Sequence, residues 1–550
     1  MGMNDLEGIV TSVDVAVIGG TPGGIAAALA AARAGCRVAL TEYHPHLGGM
    51  SASGLGKSDI ENRGMIRGIF AEFIRRVRTY YANTYGEDSA DFALCSEGYY
   101  YEPSVAERIF RAMLANEDDR IEVFPSHRLD AADVEDNRVV RARLLSRQTG
   151  RALTLQASVF IDATYEGDLY ALAGAEYRLG RESRDEFGEP HAGVVYYDYD
   201  DRVFLPGTTG QADHRLPAYT YRLCLSTDPA NGVSLEGPPP AYDRAVYLPY
   251  LQDLQADRLS APKRLVDGWG YYPKHFDTLV RALSVTEIPN RKVDANINPR
   301  PLAFPFAEEN AGYVEGGWTL RERICQRHRN LTLGLLYFLQ NDPAVPAEHR
   351  TMARQYYLPR DEFIDNGHFP FQLYVREARR LKGEYTLTEQ DVTRQDGCAA
   401  VEFPEDSIAM GEFPIDSFPC RKRQPGDTRV QEGYLCMLDH ITRPYGIPYK
   451  IMIPQRVDGL IVPVAASTTH VAYSSIRMEP TWMAMGQAAG TAAALSIEQG
   501  CVPRAVRIET LQRILTAKGQ ILRLPSRERM LEVRTSRSTA AKGRTERTMR

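Results

Sequence analysis

The residues best suited to chemistry near the start of this sequence are a glycine cluster, Gly19-Gly20-Thr21-Pro22-Gly23-Gly24, followed by a single acid, Glu42. Glycines let a backbone come close to a pyrophosphate, and a helix starting beside them offers unpaired N–H groups and the positive end of its dipole. An acid at the tip of the next strand accepts hydrogen bonds from ribose hydroxyls and disfavours a 2′-phosphate. The set therefore reads as a dinucleotide site suited to FAD or NAD rather than NADP, against the plainer reading of a structural glycine turn. The strict Gly-x-Gly-x-x-Gly fingerprint is broken at Thr21, where the backbone must tolerate a Cβ. A second polar group, Asn290, Arg291, Asp294, Asn296 and Asn298, has the hydrogen-bonding character of a polyol or sugar site. It equally fits turn chemistry.

The elements that must position the glycines follow from pattern. Val13, Val15, Val17 and Ile18 make a β-rich run, residues 19–24 a turn, and residues 25–34 an alanine-dense helix suited to lying on a sheet. Gly35 ends that helix, and residues 37–41 form the next strand, with Glu42 at its tip. Strand, glycines, helix, strand and terminal acid in this order are far more specific than the glycines alone.

What separates FAD from NAD is the rest of the chain. Leu47-Gly48-Gly49-Met50 looks like the second glycine stretch of glutathione-reductase-type FAD folds, and Asp162-Ala163-Thr164 ends a strand similar to the one that closes over their dinucleotide. Residues 460–495 resemble their final strand, flavin-side loop and closing helix. More specifically, residues 13–525 resemble the broad bacterial FAD-dependent oxidoreductase family, many of whose members have no assigned substrate. The resemblance includes Tyr101-Glu102-Pro103, Gly180-Arg181-Glu182-Ser183, residues 372–380, Pro414-Ile415-Asp416-Ser417 and Tyr445-Gly446-Ile447-Pro448-Tyr449. One position departs from it. A His is common after Asp416-Ser417, and here stands Phe418, so no role of that His carries over.

The resemblance implies an α/β fold: a glutathione-reductase-type, Rossmann-like FAD-binding domain, split in sequence, with an inserted α+β substrate domain. The expected division is residues 1–190 for the first part of the FAD domain, 191–440 for the substrate domain and 441–525 for the closing strand and helix. Residues 526–550, rich in Arg, Ser and Thr, are expected to be a disordered basic tail. The cofactor residues implied are Gly19, Gly20, Thr21, Pro22, Gly23, Gly24, Glu42, Tyr43, Gly48, Gly49, Met50, Ala163, Thr164, Gln487 and Ala488.

A flavin accepts the hydride itself, so the protein must supply orientation, electrostatics and a base for the second proton. The resemblance places His470, in Ser467-Thr468-Thr469-His470, beside the flavin ring as the candidate base. Arg477 is the second catalytic candidate, suited to an anionic reduced flavin or an acidic substrate, unless it merely pairs with Glu479. Arg291, Asn296, Arg379 and Tyr449 are the substrate candidates. Arg379 and Arg380 also read as the basic end of a helix, where they would offset its dipole. His44 and His46 flank Pro45 past the ribose acid, where a covalent flavin link competes with ordinary loop histidines.

Composition narrows the partners. Of 550 residues 43% are hydrophobic and 25% charged, which excludes a disordered or fibrous chain, and a net charge of −6 draws the protein to neither nucleic acid nor membrane. Eight cysteines without a Cys-x-x-Cys pair give no metal site and no redox pair, as in a reduced, cytoplasmic chain. The start lacks a signal-peptide pattern, and no apolar run is long enough to span a bilayer. Residues 190–440 are dense in Tyr, Phe and Pro, with strands expected at 194–199 and 219–226 and an amphipathic helix at 320–339. The expected function is FAD-dependent oxidation of a C–H next to a hydroxyl or amine of a polar, sugar- or polyol-like small molecule, with oxygen or a carrier as acceptor and the oligomeric state open. The alternatives are an NAD(P)H-driven reductase or monooxygenase without a separate nicotinamide domain, and a non-catalytic flavoprotein.

Overall fold

The β-rich run, the turn and the alanine helix appear as β1 (Ile9–Ile18), α1 (Pro22–Ala32) and β2 (Val38–Thr41). The structure is a computed structural model, and it describes residues 8–256, 282–297, 306–393, 403–424 and 430–524. The helix starts at Pro22, earlier than the glycine pattern suggests. Thr21 caps it, and proline at the first helical position loses no bond, because that N–H would have no intrahelical partner. Gly23 and Gly24 therefore lie in the first helical turn. Gly35, at φ +97°, ends the segment in a conformation glycine accepts without strain.

β1 is the centre of a sheet. It pairs in parallel with β2 and with β6 (Ala152–Asp162), and β2 pairs in parallel with β3 (Ile121–Phe124). β4 (His127–Glu135) and β5 (Arg138–Ser146) form an antiparallel meander on the first half of β6. The second half of β6 takes β10 (Leu460–Ile461) in parallel, Leu460 opposite Phe160 and Ile461 opposite Ile161. Residues about 300 positions apart in sequence thus share one mixed α/β sheet.

α1 is buried on every side because two layers enclose it. One side lies on the sheet. The other meets α5 (Glu479–Glu498), which follows the short α4 (His470–Ile476). Close approach depends on small residues: a Cβ at Gly486 would overlap the carbonyl of Gly23, and one at Gly490 that of Ala27. These paired contacts also make the two helices run in the same direction, so both N-termini lie at one end.

A separate antiparallel sheet holds β7 (Leu223–Ser226), β8 (Leu283–Ile288) and β9 (Lys292–Ile297), with β9 in the middle. The amphipathic helix extends over Trp318–Asn341. The expected strand at 194–199 is reduced to Tyr197–Asp198. Arg379 and Arg380 end no helix; the chain is extended there, and Arg380–Leu381 pairs with Tyr177–Arg178. Their charges answer buried carboxylates instead of a helix dipole. Asn298 and the residues of the expected tail lie outside the described residues, as does Cys398.

Candidate active site

The C-terminal ends of β1, β2 and β6 meet the N-termini of α1 and α5, the arrangement that makes a ligand crevice in parallel α/β sheets. Thr21 holds the turn closed. Its Oγ1 accepts the Gly24 N–H at 3.1 Å and donates to the Ala163 carbonyl at 2.9 Å, tying the glycine turn to the end of β6. Gly19, at φ +106°, lies so near Ala163 and Thr164 that a Cβ would stand 2.7 Å from the Ala163 carbonyl. Asp162 shapes that strand end by accepting from the Thr164 N–H and hydroxyl and from the Tyr170 N–H. Gly48 donates its N–H to the Gly20 carbonyl at 2.8 Å, which brings the second glycine stretch alongside the first.

Glu42 stands over the turn. Its carboxylate accepts the Gly20 N–H at 2.7 Å and the His44 N–H at 2.9 Å. Burial pushes its carboxyl up to about 7, against the pull of those N–H bonds.

Beside the turn the crevice adds two groups the sequence did not single out, Tyr165 and Trp482. Tyr165 accepts the Met50 N–H at 3.0 Å and donates to Glu479 at 2.5 Å. The other oxygen of Glu479 and the indole N–H of Trp482 are buried without a hydrogen-bond partner. Buried polar atoms are seldom left unpaired, and here they lie beside two helix N-termini and a glycine-lined turn. Burial pushes the Glu479 carboxyl up to about 8. A crevice that offers unpaired donors and acceptors, small residues and two positive helix ends fits a bound dinucleotide. Gln487 and Ala488 sit further along α5, where the Gln487 side-chain oxygen accepts the Ile69 N–H at 2.7 Å. Tyr43 is half-buried and stacked on Trp318 with ring centres 4.6 Å apart.

Next to the start of α5 is a polar cavity of about 90 Å³. Arg477, Asp416, Tyr374, Arg222, Asn296 and Phe418 are among the residues lining it. Arg477 donates to the Tyr374 hydroxyl at 2.9 Å and to the Asp416 carbonyl at 2.5 Å. It does not pair with Glu479, which is bonded to Tyr165. Arg222 joins the walls through Asp294 at 2.7 Å and Asp59 at 3.3 Å. Asp294 and Asn296 reach the cavity because alternate residues of β9 face the same side. The Asn296 Oδ1 is buried without a partner. Phe418 lies over the buried Arg376 guanidinium, 3.4 Å from ring centre to Cζ. The residue that departs from the family pattern is thus a cavity wall stacked on a cation.

The remaining sequence candidates fall elsewhere. Asn290 and Arg291, both at positive φ, form the hairpin turn between β8 and β9, and Arg291 pairs with Asp228. Turn chemistry explains that half of the polar cluster. Arg379 joins Arg321 on Asp168. Tyr449 is 2% exposed and donates to the Pro503 carbonyl. His46 is held between Glu107 and Asp365 and stacked on Phe371. His470 begins α4 with its Nδ1 2.7 Å from Glu377 and its backbone N–H on Glu182. Arg380 bridges those two carboxylates, closing a buried ring of charges. Asp59, Arg222, Tyr374 and Asp416 gave no functional signal one by one, although Tyr374 and Asp416 belong to the runs 372–380 and Pro414–Ser417.

Among the described residues no group of side chains could hold a metal ion, and no helix is long and apolar enough to cross a membrane. Comparison with curated proteins found no match. Among solved structures the chain is similar to L-proline dehydrogenase from P. horikoshii (14% identity, 36% of this chain and 26% of that one, TM-score 0.18). It is also similar to the myxobacterial chondrochloren halogenase CndH (18%, 41% and 45%, TM-score 0.23). A third is the glycerol-3-phosphate dehydrogenase from Bacillus halodurans complexed with FAD (13%, 34% and 43%, TM-score 0.21). The matched part spans less than half of each of these proteins. The family model described as FAD dependent oxidoreductase matches residues 14–515, nearly the whole length. The chain belongs to the FAD-dependent oxidoreductase family, an enzyme family whose cofactor, FAD, suits the glycine-lined crevice described above.

Proposed function

We propose that this enzyme oxidises a C–H next to a hydroxyl or amine of a polar, sugar- or polyol-like small molecule held in the cavity beside the start of α5. The observation that carries the reading is the character of that cavity. It combines paired charges (Arg222 with Asp59 and Asp294), unspent hydrogen-bonding capacity at Asn296, and the aromatic walls Tyr374 and Phe418. Fixed polar groups with aromatic faces are what a hydroxyl-rich molecule needs for orientation. FAD, when bound, supplies the two-electron acceptor.

Under this reading Gly19, Gly20, Gly23, Gly24, Gly48 and Gly49 let the cofactor approach the backbone, and Thr21 and Pro22 set the helix that faces its phosphates. Glu42 takes the ribose, while Met50, Ala163 and Thr164 line the opposite wall. Arg477 orients the substrate, and Asn296 binds one of its hydroxyls. Residues 1–190 and 441–525 form the cofactor domain and 191–440 the substrate domain.

The test is anaerobic titration of the FAD-loaded protein with a panel of sugars, polyols and amines, followed by visible absorbance. Bleaching by one panel member with simple saturation supports the reading. Bleaching by NADPH, with no response to the panel, overturns it in favour of a reductase or monooxygenase.

A further inference from the structure

We propose that Asp416 is the proton acceptor of this oxidation and that His470 is a positioning residue behind it, an assignment that rests on the substrate occupying the cavity described above. Two observations carry it: where each group lies relative to α4, and how each is held.

The cavity lies at the C-terminal end of α4. There the Asp416 N–H meets the Ser474 carbonyl at 3.4 Å, Ser475 donates to the Phe413 carbonyl at 2.5 Å, and Arg477 caps the helix. His470 is at the opposite end. Seven residues of helix separate it from Arg477 by about 10 Å at 1.5 Å per residue. Its Nδ1 is committed to Glu377, and its backbone to Glu182, inside the ring closed by Arg380. Those bonds fix α4, and α4 in turn carries the segment that presents Asp416.

The carboxylates lining the cavity include Asp59, Glu61, Asp294 and Asp416, and the three aspartates differ in how firmly they are held. Asp294 takes Arg222 and the Lys57 N–H, and Asp59 takes Arg222. Asp416 is held loosely. One oxygen accepts the Met437 N–H at 3.3 Å, and the other stands 3.7 Å from Arg477, whose closer bonds go to Tyr374 and to the Asp416 carbonyl. Its side chain is 20% exposed and faces the cavity. The groups that act on it are Arg477, Arg376 and the Met437 N–H, which favour the carboxylate, and Asp59, which opposes it. Burial outweighs them and pushes the carboxyl up to about 6, near the range in which a base both is ionised and binds a proton well.

In the step the substrate O–H (or N–H) bond breaks and its proton passes to the Asp416 carboxylate. The C–H bond breaks with its electron pair leaving as hydride, and a C=O (or C=N) bond forms; the substrate carbon is oxidised by two electrons, which FAD, when bound, would accept.

The experiment compares wild type with Asp416→Asn, Asp416→Glu and His470→Gln, all FAD-loaded. Without substrate, the flavin spectrum of wild type is expected to shift with a midpoint near pH 6, as is that of His470→Gln, whereas that of Asp416→Asn stays flat. With the panel member that bleaches wild type, Asp416→Asn should reduce ~10²–10⁴-fold more slowly with KM little changed. Asp416→Glu should recover part of that rate, and His470→Gln should keep the acid limb of the pH profile. A flat wild-type spectrum, or an Asp416→Asn rate within about threefold of wild type, overturns the assignment. A wild type that no panel member bleaches overturns the functional reading instead, and the substrate-free titration then decides Asp416 by itself.

Discussion

The Thr21 hydroxyl donates to the Ala163 carbonyl at 2.9 Å while accepting the Gly24 N–H, so one side chain closes the glycine turn, caps α1 and joins β1 to β6. A glycine at this position, as in the strict fingerprint, would leave the Gly24 N–H and the Ala163 carbonyl without that partner. The departure from the fingerprint is therefore a compensated one.

Thr21→Ala should cost about 1 kcal/mol for the lost cap, and more if the Ala163 carbonyl finds no water. Thr21→Ser, which keeps the hydroxyl, should stay within about 0.5 kcal/mol of wild type. Thermal unfolding of the FAD-free proteins measures both. Equal Tm for Thr21→Ala and wild type would show that the bridge contributes nothing.

Glu42→Ala should weaken FAD binding by about tenfold or more, the loss of one charge-assisted hydrogen bond pair. Glu42 also satisfies the Gly20 and His44 N–H groups, so the FAD-free form should lose stability as well. Flavin fluorescence titration and thermal unfolding separate the two. Unchanged FAD affinity would remove Glu42 from the ribose.

Gly486→Ala tests the helix pair. In an open helix this change gains about 1 kcal/mol from propensity. Here the new methyl would overlap the Gly23 carbonyl and force α1 and α5 apart, so the net effect should be destabilising by about 1–3 kcal/mol, with weaker FAD retention. A rise in Tm would mean that the two helices can separate freely.

Glu479 carries a pH signature. Its carboxyl is raised from the ordinary Glu value of 4.5 to about 8 by burial. A raised folded value means the stability it contributes is complete below pH 4.5 and is lost as pH climbs through 8. Glu479→Gln, neutral at every pH, should match wild-type Tm at pH 5 and exceed it at pH 9 in the FAD-free protein. Parallel Tm curves across that range would show that Glu479 ionises normally.

The sequence by itself determined the glycine turn, the helix after it and the strand ending at Glu42 in outline. Glycines, apolar runs and a terminal acid are local signals, because backbone conformation and strand or helix period are decided by neighbouring residues, and the first 42 positions carried nearly all of them. Resemblance extended this to Gly48, Ala163 and the final helix. The basic pair Arg379-Arg380 misled for the same reason: its spacing fits a helix end, but tertiary burial beside Asp168 and Glu182 holds it extended.

Only the tertiary structure decided the cavity. Its walls come from residues 57–61, Arg222, β8 and β9, Tyr374, the segment at 413–418, Met437 and the end of α4, which no local pattern connects. It divided the polar residues at 290–296 between a hairpin turn and a cavity face, because strand alternation sends Asn296 inward while the turn leaves Arg291 outside. It also set His470 at the first residue of one short helix and packed Asp416 against the other end, a distinction that linear spacing cannot express, since folding determines which groups share a space and which stay loosely enough held to take a proton.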